Sequence, residues 1–215
     1  SDGVLLDKNQ TKIIVFPGGK SQQYNILSSV TSIEEYAFYG CSLTSITIPG
    51  RIKDIGKSAF RNCTNLETVI ILQDVTSIAQ SAFYGCTSLT NIEIPNTVET
   101  IDESAFYGCI SLESINLPSR VTSIEESVFE GCINLTSIQT SDYLETIGES
   151  AFKGCTSLKT INIPTRVRVI DESAFEGCTI LESISIPSSV ETIGEYAFAG
   201  CTSLDSLYIL EGGEK

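Results

Sequence analysis

Cysteine occupies positions 41, 63, 86, 109, 132, 155, 178 and 201, one step of 22 residues followed by six of 23. Phenylalanine keeps the same register at 38, 60, 83, 106, 129, 152, 175 and 198. A fixed period in the twenties constrains this chain more than any other feature. Each unit is too short to bury its own apolar face, so it must stack on a copy of itself. The expectation is one elongated solenoid. Eight strands stacked at about 4.8 Å give an array on the order of 40 Å long.

Residues 109–131, CISLESINLPSRVTSIEESVFEG, show one unit. Ile115 and Leu117 alternate with Ser114 and Asn116, which is strand periodicity, and Leu112 leads into them. Pro118 ends the strand because it lacks a ladder N–H. Val121 and Ile124 then point inward on the return path. EESVFEG reads as a short helical turn with Val128 and Phe129 inward. Gly131 closes it in a left-handed conformation that costs glycine little. The second unit has Asn62 at this position, and Asn is the usual substitute there.

Residues 1–27 fall outside the repeat. Segments 4–6 and 12–16 read as two short strands joined by a polar turn at 7–10, forming a hairpin that caps the open end of the array. Residues 28–210 form the array of about eight units, and 211–215 a flexible tail, in one domain overall. The 22-residue step predicts a tighter turn after Cys41. Two units break pattern at the strand end. The third reads VIILQDV over 69–75, and the sixth reads IQTSDYL over 138–144, with Thr140 at an Ile position and Ser141 at the Pro position. Such places suit either a specific contact or simple drift at a tolerant turn. The chain lacks Met even at position 1, as expected of a processed product or a piece of a longer protein. No polar cap is visible near residue 210, so the natural protein is expected to continue or to leave its last strand as an open edge.

Composition narrows the function. Twenty-seven acids against 13 bases leave a formal charge of −14. That disfavours nucleic acid, which needs clustered Lys and Arg, and an anionic membrane surface. No apolar run is long enough for a membrane helix, and no leader is visible. There is no His. Ser-His-Asp and Cys-His catalysis and His-ligated metals are therefore excluded, so any enzyme must rest on carboxylates.

Several columns of side chains bear on function. The eight cysteines sit at one place in successive rungs, close enough for disulfides but poorly aimed at each other, so a buried ladder of free thiols is expected. Glu35, Glu103, Glu126, Glu149, Glu172 and Glu195 share one register. They could collect Ca²⁺, but placement at the positive end of each short helix accounts for them more simply. No cofactor or metal is expected. On the strand face turned away from the core, alternation presents Thr47, Ile70, Glu93, Asn116, Gln139, Asn162, Ser185 and Tyr208, a polar, small and nearly uncharged row. It is the candidate partner-binding surface. Arg51, Lys53, Lys57 and Arg61 form a secondary basic candidate. Sequons at Asn9, Asn62 and Asn134 matter only in a glycosylating secretory pathway.

The pattern LxxIxIP…VxxIxxxAFxGC, as in LESINLPSRVTSIEESVFEGC and LKTINIPTRVRVIDESAFEGC, resembles the BspA-like leucine-rich repeat family over roughly residues 24–210. The resemblance implies an α/β, right-handed, horseshoe-shaped solenoid with a parallel sheet on its concave face. It also implies a secreted or cell-surface protein that adheres to other macromolecules. The function expected is non-enzymatic recognition of an extracellular protein or glycoprotein, with a monomer in solution. The alternatives are a structural spacer without a specific ligand and, further off, a carbohydrate-active enzyme built on paired acids.

Overall fold

The computed structural model describes residues 3–19 and 23–209. The units are coils stacked in register and joined by three hydrogen-bonded columns.

The first column is a parallel ladder of the longer strands. Ser45–Ile48, Thr68–Ile71 and Asn91–Glu93 pair in order. Ser114–Asn116 pairs with Ser137–Gln139, and Ser183–Ile186 with Ser206–Ile209. Single bridges join Gln23 to Ser45 and Thr160 to Ser183. The second column runs up the return path. Lys12–Val15, Ser32–Ile33, Asp54–Ile55, Ser77–Ile78 and Thr100–Ile101 pair in parallel. Ser123–Ile124, Thr146–Ile147, Val169–Ile170 and Thr192–Ile193 do the same.

The third column corrects an expectation. The EESVFEG segment is not helical, and no helix occurs among the described residues. It is a chain of tight turns with two left-handed residues in each unit. Tyr36, Ser58, Ser81, Ser104, Ser127, Ser150, Ser173 and Tyr196 have positive φ, as do Asn62 and the Gly40, Gly85, Gly108 and Gly131 positions. The N–H of Phe38, Phe60, Phe83, Phe106, Phe129, Phe152 and Phe175 donates to a carbonyl of the next coil at 2.7–3.0 Å. An α-helix would turn those donors back on its own carbonyls. Alternating left-handed residues aim them along the array, so the turn binds its neighbour as a strand would. Gly131 has φ 72°, and an added Cβ would sit 3.7 Å from Gly108 Cα, so the backbone angle and not space selects glycine there. Asn62, at φ 59°, takes the same conformation.

Between the columns lies a continuous core. The Phe rings stack from Phe38 to Phe198 with centroids 4.7–5.7 Å apart and planes within 13°. The cysteines are free thiols, buried except for half-buried Cys201. From Cys63 to Cys201, each Sγ donates to the Phe carbonyl of the preceding unit at 2.9–3.3 Å. Each of these carbonyls also accepts the Cys N–H of its own unit. Cysteine is thus a small apolar residue whose weak donor satisfies a second lone pair. One pair is aimed better than expected, since Cys41 Sγ lies 3.2 Å from Cys63 Sγ.

At the amino end, Leu5–Leu6 pairs antiparallel with Lys12–Val15. Asp7 holds the turn by accepting the Thr11 and Lys12 N–H groups at 2.6 and 2.8 Å. These bonds hold its carboxyl below the usual carboxylate range, the Lys12 bond most of all. Val4, Ile13 and Phe16 are buried, and Phe16 stacks on Phe38 at 5.0 Å. The short first unit does not tighten its turn. It omits the turn that follows Cys63, and Ser42 instead donates its N–H and hydroxyl to Gly18 O at 3.2 and 2.7 Å. The expectation of a flexible tail at 211–215 lies outside the described residues.

Candidate functional site

The strand row falls where alternation places it. Thr47, Glu93, Asn116, Gln139, Asn162, Ser185 and Tyr208 are exposed, and Ile70 is half-buried. The intervening Ile46, Val69, Ile92, Ile115, Ile138, Ile161 and Ile184 are buried. Register aligns Thr47 with Ile70 and Glu93, Asn116 with Gln139, and Ser185 with Tyr208. Within each of these short ladders the outward side chains stand side by side at strand spacing. The row's chemistry is chiefly that of hydroxyls and amides, with Glu93 the one charged member and Ile70 the one aliphatic member.

The basic residues are differently engaged. Arg51 is committed to the backbone, donating to Val30 O at 2.9 Å, Leu27 O at 2.7 Å and Ile26 O at 3.1 Å. It thereby ties down the first unit. Lys53 reaches Asp74 at 4.0 Å. Arg61 lies 3.9 Å above the Tyr84 ring. Arg51 and Lys53 belong to the return path, whereas Lys57 and Arg61 belong to the turns.

The acidic column has no helix end to meet, so the dipole account of it fails. What it contributes to the fold is backbone. The carbonyls of Glu103, Glu126, Glu149, Glu172 and Glu195 accept an N–H from the coil before. Burial first, then Glu103, Glu149 and Glu130, push the Glu126 carboxyl upward. Among the described residues, no group of three His, Cys, Asp or Glu side chains could hold a metal ion.

Sequence reasoning passed over one arrangement and left a second undecided. In the first four units the residue before the left-handed Gly or Asn62 forms a stripe of Tyr39, Arg61, Tyr84 and Tyr107. Tyr84 and Tyr107 stack at 4.5 Å with planes 3° apart. The repeated AFYG was the available signal. The second arrangement surrounds the irregular sixth unit. Buried Ser141, at the Pro position, donates to Ser119 O at 3.0 Å and accepts the Tyr143 N–H at 3.1 Å. Its carbonyl still accepts the Leu144 N–H, as Pro118 O accepts that of Val121. The sixth unit keeps the turn and adds two hydrogen bonds that fix Tyr143. The third unit is also built in. A Cβ on Gly50 would lie 1.7 Å from Gln73 O, so its altered turn presses on a glycine of the unit before.

Coils with two parallel ladders, a Leu column at 43, 66, 89, 112, 135, 158 and 181 inside, and turns on the third side define a leucine-rich repeat solenoid. The family model described as BspA type leucine rich repeat region (6 copies) matches residues 14–136 and 122–214, and the chain belongs to that family. Among solved structures, a T. pallidum leucine-rich repeat protein is 28% identical with a TM-score of 0.71, covering 88% of this chain and 90% of that one. The pneumococcal vaccine antigen PcpA is 23% identical with a TM-score of 0.57, covering 93% of this chain and 60% of that one. A Bacteroides ovatus leucine-rich repeat protein is 27% identical with a TM-score of 0.48, covering 93% and 67%. A search of curated proteins returns no relative.

Proposed function

We propose that this protein is a non-enzymatic recognition module of the cell surface or secreted space. It binds an extracellular protein or glycoprotein through the exposed strand row, from Thr47 and Ile70 to Ser185 and Tyr208. The observation that carries this reading is the row itself. Exposed, mostly polar side chains, with Ile70 and Tyr208 as the apolar and aromatic exceptions, stand at one register position on short parallel ladders, in a family whose resemblance implies adhesion. Repeat solenoids use such extended surfaces for binding. The row is hydrogen-bonding and nearly uncharged, so affinity comes from many matched polar contacts and survives salt.

The test is binding of the immobilised chain to a panel of extracellular-matrix glycoproteins at low and physiological salt. Saturable binding that persists at physiological salt supports the reading. Binding confined to low salt transfers the contact to the charged residues, and no binding favours a spacer array.

A further inference from the structure

A groove of about 590 Å³ opens on the return face, lined by Glu99, Ser119, Arg120, Thr122 and Tyr143. Tyr143 is half exposed, at 51%. Its column along the array reads Arg51, Asp74, Thr97, Arg120, Tyr143, Arg166 and Ser189, so one aromatic ring stands between two arginines on neighbouring coils. Both arginines are drawn toward the amino end. Arg166 lies over the Tyr143 ring at 4.8 Å from its centroid. Arg120 is ion-paired to Glu99 on the coil before. The carboxyl-terminal face of the ring is therefore covered, while the side toward Arg120 is left as the groove. A second groove of about 190 Å³ continues past the same ring and shares Tyr143 and Ser119. It reaches Gln139, Thr140 and Asp142.

We infer that the Tyr143 groove is a binding subsite for a neutral sugar ring of a glycan. The groove is shallow and open to solvent, with room for one sugar ring against the tyrosine. Its lining contains one aromatic wall, one carboxylate, one guanidinium and two hydroxyls. A pyranose presents an apolar C–H face bordered by hydroxyls that both donate and accept. The ring of Tyr143 suits that face. Glu99 accepts from sugar hydroxyls, Arg120 donates to them, and Ser119 and Thr122 can do either. Glu99 and Arg120 are ion-paired, so the two charges that line the groove offset each other.

The support for the ring is also built in. Tyr143 is carried by the turn that buried Ser141 fixes through its bonds to Ser119 O and the Tyr143 N–H. A drifting surface tyrosine has no need of such a hydroxyl, and Pro stands at that position in units four, five, seven and eight as well as in unit two, counting units from residue 24. Ser141 acts as a positioning residue and does not reach the sugar itself.

The subsite does not depend on the strand row binding a protein. It is tested by saturation-transfer NMR of the full chain with lactose, maltose, cellobiose and N,N′-diacetylchitobiose at millimolar concentration. At least one disaccharide should draw saturation from the protein, and Tyr143→Ala should weaken that interaction about tenfold. Arg120→Ala should weaken it as well. Tyr39→Ala, an exposed tyrosine on the turn stripe, should leave it unchanged. Because the Tyr143 side chain is exposed, circular dichroism of Tyr143→Ala should match the parent chain. No transfer to any of the four sugars, or transfer unaltered in Tyr143→Ala, overturns the inference. Loss of protein-partner capture in Tyr143→Ala, with all four sugars silent, overturns it in favour of a protein contact.

Discussion

Replacing Phe129 with Ala removes an interior ring of the core stack. Phe129 is fully buried, with Phe106 at 5.7 Å and Phe152 at 5.5 Å. Truncating a buried Phe costs about 3–5 kcal/mol through lost transfer energy and a cavity. Here two stacked partners are lost at once, each worth about 0.5–1.5 kcal/mol beyond burial, which places the cost at the upper end. The neighbouring coils are held by three ladders and cannot close the gap. Because coils touch only their neighbours, the damage should remain local. Native-state hydrogen exchange reads this by residue. The Phe106, Phe129 and Phe152 amides, bonded to Val128, Ala151 and Ala174 carbonyls, should lose most protection. The Phe38 amide, bonded to Ala59 O, should keep nearly all of it. A uniform loss across the array would refute the nearest-neighbour reasoning.

Four further outcomes follow from particular contacts. Gly50→Ala should destabilise by about 2 kcal/mol or more in denaturant titration, since its Cβ meets Gln73 O and backbone cannot swing aside. The eight thiols should all titrate after denaturation, but in the native chain Cys132 and Cys178, pushed up to about 12 chiefly by burial, should resist alkylation while half-buried Cys201 reacts first. Glu126→Gln should raise the melting temperature at neutral pH. The folded carboxyl titrates above its ordinary value, so its ionisation opposes folding as pH rises, and the gain should fade below about pH 4. Ser141→Ala should cost about 1–3 kcal/mol in the same titration, because Ser119 O and the Tyr143 N–H lose their shared partner.

The stack, the inward residues and the outward row were legible because strand alternation and a fixed period leave little choice. Ile115 must face inward if Asn116 faces out, and a 23-residue step repeats that choice coil after coil. The turns were misread for a local reason. EESVFEG contains good helix formers, and nothing in one unit reveals that the Ser127 N–H will donate to Glu149 of the next. The left-handed Ser is set by stacking, which no isolated seven-residue window contains. The partners of the basic residues were hidden for a similar reason. Proximity in sequence did not show that Arg51 turns back onto carbonyls of the first unit while Arg61 lies on Tyr84. Tyr143 stood within a unit noted as irregular. Its role depends on Arg120 and Arg166, each 23 residues away, and becomes visible only when the columns are aligned.

The most direct test of the account changes Asn116, Gln139 and Asn162 together to Arg. These side chains are exposed, and Asn116 and Gln139 are register partners on the ladder. Three surface changes should leave the melting transition nearly in place, each within about 0.5 kcal/mol. Capture of the glycoprotein that the parent chain binds at physiological salt should be abolished. Undiminished capture by the folded variant would contradict the claim that the strand row is the binding surface.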